Sequence, residues 1–228
     1  LTLNTHSWME DEQEKKLDQL AERILQEKYD VICLQEVNQE MESEQVVQAP
    51  FYHAVDGAIA IHKDHFAHCL VERLVEKGLI YHWSWAYNHI GFDRFHEGVA
   101  ILSLNPLKPR ELLVSDANDP TDYHTRKVLL AETEVDGRLV TVASCHLSWW
   151  NKGFQEEWAQ IEEELLQCNM PLVLMGDFNN PVGYEGYQHI LRSPLALQDS
   201  HAVADTVVGT ATVEGDIAGW AGNKEALK

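Results

Sequence analysis

Short apolar runs that end abruptly in polar residues dominate the hydrophobic pattern of the chain. One run, at positions 171–175, ends in Gly176-Asp177-Phe178-Asn179. An apolar run of this length predicts a buried strand. Residues two apart on an extended chain share a face, so Asp177 and Asn179 can point into one cavity. Gly, Asp and Asn are also common turn residues, so an Asx turn that only closes the strand is the alternative.

Other strand-like runs also have polar residues of this kind at or near an end. Each residue has an ordinary structural explanation, such as a turn, a cap or a solvated side chain. Their shared position at the ends of buried runs favours a common site. They are Asn4 at the end of the run 1–4, Glu36 near the end of 29–37, His146 at the end of 138–146, and Glu97 just before 98–104.

The remaining pattern mixes helices with hairpins. Helical periodicity covers Asp11–Lys28, Asp64–Lys77, Phe154–Cys168 and Tyr187–Arg192. The runs 81–89 and 98–104 flank a polar turn, and Asp136-Gly137 separates two β-like runs, which is a strong hairpin signal. The acidic stretch 38–48 predicts a loop or an exposed helix, whereas 206–222 has no assignable pattern. The mixture predicts an α/β (α+β) fold in which two stacked β-sheets are covered by helices.

Composition and charge narrow the function classes. The 228 residues fit one large domain, and no linker divides them. The net charge is −20, with 17 Lys plus Arg against 37 Asp plus Glu. Such a surface repels polyanions and anionic membranes, which argues against a nucleic-acid partner or substrate and against membrane docking. A locally basic groove is still compatible with this overall charge.

The cysteines and the apolar segments bear on the compartment. Cys33, Cys69, Cys145 and Cys168 are widely spaced, and Cys33 and Cys145 lie within strand-like runs. This usage favours a reducing, cytoplasmic location over a disulfide framework. No stretch approaches the roughly 20 apolar residues of a membrane span. No signal-peptide pattern is seen, although the sequence opens at Leu1 inside a strand-like segment, so that preceding residues remain an open question.

Five motifs in order resemble the endonuclease/exonuclease/phosphatase superfamily. They are the strand ending in Asn4, Leu34-Gln35-Glu36-Val37, His96-Glu97-Gly98, Ser144-Cys145-His146-Leu147 and Gly176-Asp177-Phe178-Asn179. The resemblance covers Leu1 to about Tyr184. It implies the deoxyribonuclease-I-like fold, a four-layer sandwich of two packed mixed β-sheets flanked by helices.

The resemblance also implies roles for these residues in phosphoester hydrolysis. Asn4 and Glu36 are expected to hold a divalent metal, Mg²⁺ or alternatively Mn²⁺, and Mg²⁺ takes few protein ligands. Asp177 is expected to orient or activate the attacking water, and Asn179 to hydrogen-bond a phosphoryl oxygen. His146 is expected to stabilise phosphoryl charge, with Glu97 accepting the other ring proton of His146.

The chain departs from the family pattern after Asn179. The superfamily usually adds an Asp in an Arg-x-Asp-Tyr-like strand and a terminal Ser-Asp-His, and neither is found here. Asp199-Ser200-His201 has the wrong order, so His201 is interpreted as a loop residue. We therefore expect residues 1–228 to form a single domain that lacks its last strands. If the chain is complete, its catalytic set is incomplete.

The substrate is less constrained than the reaction. Trp149 and Trp150 directly follow the His146 motif and predict a stacking wall for a sugar ring or base, although packing of the loop is the alternative. Arg94 and His96 are further candidate substrate-binding residues. The short segments Leu3–Trp8 and His146–Trp150 resemble sugar-phosphate phosphatases of the maltose 6'-phosphate phosphatase type.

These features predict a phosphomonoesterase for a small phosphorylated sugar. The alternatives are a phosphodiesterase, sphingomyelinase-like or a nuclease, and a non-catalytic binding module that kept the fold. The sequence leaves the oligomeric state and the number of metal ions open.

Overall fold

A computed structural model describes residues 1–212, and these residues form two compact units. The first unit is Leu1–Leu147 with Cys168–Asp177, and the second contains Ser148–Gln167 together with residues 178–212. Residues 213–228 lie outside the described residues, so the predicted single domain and the unassigned stretch 206–222 are described only as far as residue 212. The single-domain organisation stays a prediction.

Eight strands and two helices build the first unit. The strands are β1 (Thr2–Asn4), β2 (Val31–Glu40), β3 (His82–Gly91), β4 (Phe95–Ser103), β5 (Lys108–Leu113), β6 (Lys127–Val135), β7 (Arg138–His146) and β8 (Leu172–Asp177). The helices are α1 (Gln13–Glu27) and α2 (Phe66–Glu76). The strands form two four-stranded sheets in the orders β1-β2-β4-β3 and β5-β6-β7-β8.

Each sheet is mixed, with one parallel and two antiparallel pairs. In the first sheet β1 runs parallel to β2, and in the second β7 runs parallel to β8. Parallel neighbours end at the same edge of a sheet, so β1 and β7 each deliver a terminal side chain beside a neighbouring strand. The prediction of two packed mixed sheets with flanking helices is confirmed.

Two apolar clusters hold the first unit together. One lies between the first sheet and its helices, with Leu17 and Ile24 of α1 and Leu70 and Leu74 of α2 packed near Trp83. The other lies between the sheets and is made of small and branched side chains: Cys33, Ala86, Val99, Ile101, Leu129, Ala131 and Val142 are among its members. Successive side chains along a strand point to opposite faces of the sheet. Both faces of the first sheet are buried in these clusters, which explains the nearly continuous apolar sequence of its strands.

Three helices lie in the described part of the second unit. They are α3 (Gln155–Leu165), α4 (Glu185–Leu191) and α5 (Ser200–Val203), and an irregular turn at Trp150–Phe154 precedes α3. Phe154 and Trp158 are buried, with ring centroids 6.0 Å apart. The periodic pattern predicted α3 and α4. His201 was expected in a loop but lies in α5, because the Asp199 side chain caps this short helix by accepting from the His201 backbone N–H.

Several sequence-based boundaries change in the structure. The strand β2 continues to Glu40, so the first residues of the stretch 38–48, expected as a loop or exposed helix, are strand. The strand β4 begins at Phe95, which places His96 and Glu97 inside a strand instead of before it. The sequence did not indicate β5. This strand lies at the edge of its sheet and its residues are mostly half-buried, so charged residues interrupt its apolar pattern.

One buried histidine at the start of α2 predicts a pH dependence of stability. His65 is fully buried and accepts a hydrogen bond from the His68 backbone N–H. Burial, followed by the charges of His68 and His62, lowers the pKa of His65 well below 6.5. The unfolded chain therefore binds a proton that the folded chain excludes, and the free energy of unfolding falls as the pH drops below about 6.5.

Replacing His65 with asparagine should flatten this pH dependence, because asparagine also caps helices but does not titrate. Urea unfolding of both chains between pH 7.5 and 5 measures the slope. The exposed His124→Asn variant is the control and should keep the slope of the wild type. An unchanged slope in His65→Asn would contradict the prediction, because it would mean that His65 has the same pKa in the folded and the unfolded chain.

Candidate active site

Two carboxylates meet at one amide where β1 and β8 end. The Asn4 amide nitrogen donates to Glu36 Oε1 at 2.9 Å and to Asp177 Oδ2 at 3.1 Å. The Asn4 side-chain oxygen accepts from the His6 backbone N–H at 3.1 Å, which fixes the direction of the amide. The structure therefore brings together three predicted site residues from strands far apart in the sequence.

Glu36 lies in a β-bulge and not at a strand end. The pairing of β2 with β4 shifts register between Leu34 and Val37, and Glu36 has a left-handed φ of 52°. Such a conformation costs about 1–3 kcal/mol for a residue other than glycine and persists where surrounding contacts enforce it. Here the hydroxyls of Ser7 and Thr5 donate to the Glu36 carbonyl at 2.7 and 3.1 Å. The loop after β1 thus holds the bulge that turns the Glu36 side chain.

His146 joins this cluster from the end of β7. His146 and Asp177 are direct partners in the parallel β7–β8 ladder, and the Leu147 N–H donates to the Asp177 carbonyl at 3.0 Å. The His146 Nε2 atom lies 3.8 Å from Glu36 Oε1, and only 8% of His146 is exposed. A largely buried imidazole therefore lies beside the carboxylate pair.

Glu97 is a buried carboxylate whose direct partner is His89. The Glu97 Oε1 atom lies 3.3 Å from His89 Nε2, and 7% of Glu97 is exposed. Burial raises the pKa of Glu97, but the hydrogen bond from His89 and the charges of His89, His146 and Arg126 outweigh it, so the pKa is lowered overall. The expected hydrogen bond from His146 is thus replaced by one from His89, while the His146 charge still acts on Glu97.

Three other predicted site residues belong to the second unit. Asn179 has a left-handed φ of 51°, a conformation that asparagine tolerates well. Trp149 and Trp150 are both half-buried in this unit. The Trp150 ring lies 5.8 Å from the Phe154 ring and 5.4 Å from the His189 ring, measured between centroids. Trp150 therefore packs on the turn before α3 and also presents part of its ring to solvent.

The contacts of Arg94 and His96 lie away from the carboxylate pair. Arg94 forms an ion pair with Glu40 and lies over the Phe95 ring, 4.8 Å from its centroid. The His96 Nδ1 atom lies 3.4 Å from the Gln39 amide nitrogen, and its ring contacts the rings of His62 and Tyr87. His96 and Glu97 are consecutive in β4, so their side chains point to opposite faces of the sheet.

The sequence analysis missed two residues that shape the site, Ser7 and His89. Ser7 is fully buried, accepts from the Asn38 backbone N–H at 2.9 Å and supports the Glu36 bulge. His89 pairs with Glu97 in the β3–β4 ladder. The sequence did contain a signal for His89, the predicted pairing of the runs 81–89 and 98–104. In a hairpin the end of the first run, where His89 lies, is opposite the start of the second run, which directly follows Glu97. A serine in a polar loop gives no comparable signal.

The donor set of the cluster fits a hard divalent cation such as Mg²⁺. Glu36 and Asp177 provide carboxylate oxygens near one another, whereas the Asn4 amide presents its nitrogen to them and its oxygen to the His6 N–H. Within residues 1–212 no group of three or more His, Cys, Asp and Glu side chains is arranged to hold a metal ion. Mg²⁺ is commonly bound through only one or two carboxylates, with water and phosphate completing its shell, so two carboxylates are sufficient.

The match to a family model shows the class of protein to which the chain belongs. The model of the endonuclease/exonuclease/phosphatase family matches residues 9–224. The chain belongs to this family. Its members are hydrolases that act on phosphoester bonds and generally use divalent metal ions, and their deoxyribonuclease-I-like fold agrees with the two mixed sheets described above.

Solved structures show the same fold. An endonuclease/exonuclease/phosphatase family protein from Leptotrichia buccalis C-1013-b has 29% identity and a TM-score of 0.81, over 96% of this chain and 80% of that one. A functionally unknown conserved protein from Enterococcus faecalis V583 has 20% identity and a TM-score of 0.60, over 90% and 74%. The human Nocturnin catalytic domain with bound sulfate has 20% identity and a TM-score of 0.58, over 85% and 68%.

The comparison with curated proteins and the length and polarity of the helices give no further information on the function. No curated protein matches the chain. No helix within residues 1–212 is both long and apolar enough to cross a membrane.

Proposed function

We propose that the chain is a Mg²⁺-dependent phosphomonoesterase that hydrolyses a phosphorylated sugar such as maltose 6'-phosphate. One observation carries the proposal: the Asn4 amide joins the carboxylates of Glu36 and Asp177 beside the His146 imidazole. Hydrolysis of a phosphate ester needs a positioned water and compensation of phosphoryl charge. The cluster supplies acidic and basic groups for both tasks.

Each side chain has a distinct task in this proposal. Asp177 accepts a proton from the attacking water, and its hydrogen bond from Asn4 holds the carboxylate in place. His146 donates a hydrogen bond to a phosphoryl oxygen. Asn179 donates a second one from its amide. Glu97, kept ionised by His89 and its other cationic neighbours, supplies a negative charge near His146.

Glu36 and Asp177 would hold the cation of this site, and Asn4 would add its amide oxygen when the amide turns away from the His6 N–H. Mg²⁺, or Mn²⁺ in its place, would supply Lewis-acid polarisation of the phosphoryl group and stabilise the leaving oxygen. The bulge at Glu36 is part of the binding arrangement, since the Ser7 and Thr5 hydroxyls fix the backbone that carries the carboxylate. Two carboxylates in close proximity are also mutually repulsive, and a bound cation relieves this repulsion.

Charge and aromatic residues support a small sugar phosphate as the substrate. The net charge of −20 opposes binding of long polyanions such as DNA or RNA. Trp149 and Trp150 are half-buried and offer ring surface on which a sugar can stack. Cys33, Cys69 and Cys168 carry free thiols, which agrees with a cytoplasmic enzyme.

A substrate panel tests the proposed function. Release of inorganic phosphate from maltose 6'-phosphate and glucose 6-phosphate, measured with Mg²⁺, should exceed cleavage of plasmid DNA and of sphingomyelin vesicles. Chelation with EDTA should abolish it, because the site then lacks the Lewis acid that polarises the phosphoryl group. Faster cleavage of either diester would replace the proposal by a phosphodiesterase. Binding of a sugar phosphate without turnover of any substrate would indicate a binding module.

A further inference from the structure

We propose that Glu157 and Asn180 are positioning residues that clamp Ser148 and so fix the chain segments that continue from His146 and Asp177. The relevance to catalysis rests on the proposed function, whereas the clamp itself is a feature of the second unit. The Ser148 backbone N–H, hydroxyl and carbonyl are all engaged by these two side chains.

Glu157 holds one side of Ser148. Its carboxylate accepts from the Ser148 N–H at 2.8 Å and from the Ser148 hydroxyl at 2.6 Å. Only 2% of Glu157 and 7% of Ser148 are exposed. A buried carboxylate is costly unless it is hydrogen-bonded, and bonds to a charged acceptor are stronger than neutral ones. Glu157 also lies in the first turn of α3, where the helix dipole favours a negative charge.

Asn180 holds the other side of Ser148. Its amide nitrogen donates to the Ser148 carbonyl at 3.2 Å and to the Phe178 carbonyl at 2.5 Å. The chain leaves room for this amide at Gly186, where an added Cβ would lie 1.9 Å from Asn180 Oδ1. One amide therefore bridges the segment after β7 and the segment after β8.

The bridged segments are the direct continuations of two catalytic strands. Ser148 follows His146 by two positions, and Phe178 immediately follows Asp177. His146 and Asp177 are ladder partners, so the β7–β8 pairing fixes them from one side. The clamp restrains the chain on the other side of each residue. A displacement of about 1 Å in a catalytic group can reduce a rate about 100-fold, so this restraint has a measurable kinetic effect.

Kinetics with p-nitrophenyl phosphate and Mg²⁺ test the clamp. Glu157→Ala and Asn180→Ala should each lower kcat by about 10- to 100-fold with little change in KM, because orientation is lost and not substrate binding. Glu157→Gln keeps an acceptor oxygen and should recover part of the loss. The matched control is Glu156→Ala, an exposed acidic residue in the same turn of α3, which should leave kcat unchanged.

Amide hydrogen exchange provides a readout that does not depend on turnover. Asn180→Ala should accelerate exchange in the segment 147–149, and Glu157→Ala should accelerate it in 178–180 as well, since Asn180 links the two through Ser148. If Glu157→Ala fails to fold, Ser148→Ala, which removes only the hydroxyl bond, takes its place. Wild-type kcat and exchange in these variants would overturn the clamp. A wild type that does not turn over any phosphate ester would overturn the proposed function, and exchange alone would then decide the clamp.

Discussion

Replacing Asp177 with asparagine should lower kcat for phosphate release by about 10³-fold, within the range lost with an essential acid–base group. The substitution keeps the size of the side chain and an oxygen that can accept from the Asn4 amide. It removes the negative charge that would hold the cation and the basic oxygen that accepts the proton of the attacking water. The folded structure should therefore persist while the chemistry stops.

The rate of phosphate release from p-nitrophenyl phosphate, with the unfolding midpoint measured in parallel, checks this prediction. Asp136→Asn is the matched control, because Asp136 lies in the β6–β7 hairpin turn with a φ of 49°, which asparagine also adopts readily. The control should keep the wild-type rate. A rate in Asp177→Asn within a few-fold of the wild type would remove Asp177 from the mechanism.

Replacing Gly176 with alanine should destabilise the chain by about 3 kcal/mol or more, the sum of a strained φ and a steric conflict. Gly176 has a φ of 155°, and an added Cβ would lie 2.0 Å from the Cys145 carbonyl oxygen on the paired strand β7. The neighbouring atoms are backbone, so they cannot rotate away. Either the β7–β8 ladder opens or Gly176 must leave its conformation, and both move Asp177.

Urea unfolding at neutral pH measures this loss. The matched control is Gly137→Ala in the β6–β7 turn, where φ is 75° but nothing lies within 4 Å of an added Cβ. The control should lose only about 1–2 kcal/mol, which is the cost of a left-handed residue with a Cβ. Equal losses in the two variants would mean that the close approach of Cys145 and Gly176 has no energetic consequence.

Local signals in the sequence predicted much of the fold. The Asp136-Gly137 step places a tight turn between β6 and β7, and the observed φ values of 49° and 75° have the signs that the type I′ turn demands. The apolar stripes of α1 and α2 predicted these helices, because the buried residues of each recur with a period of about 3.6 residues. The motif order then indicated two sheets, since it matched a family whose fold is known.

The geometry of the site was less accessible to sequence reasoning. Asn4 and Asp177 meet because two parallel strand pairs end near the same place, which no local pattern contains. Glu36 was expected at a strand end but lies in a bulge of a longer strand, since the register shift is set by β4 and by the Ser7 hydroxyl. Glu97 was expected to accept a hydrogen bond from His146, whereas the β3–β4 pairing places His89 next to its carboxylate. Long-range pairing decided each of these differences.

Binding of Mn²⁺, followed by electron paramagnetic resonance, tests most directly whether Asn4, Glu36 and Asp177 form a metal site. Glu36→Gln should weaken Mn²⁺ binding at least about 10-fold, because it removes one of two carboxylates from a hard cation. Glu44→Gln, at an exposed glutamate paired with Lys63, controls for general attraction to the acidic surface and should bind as the wild type does. Equal affinities of the wild type and Glu36→Gln would contradict the metal site.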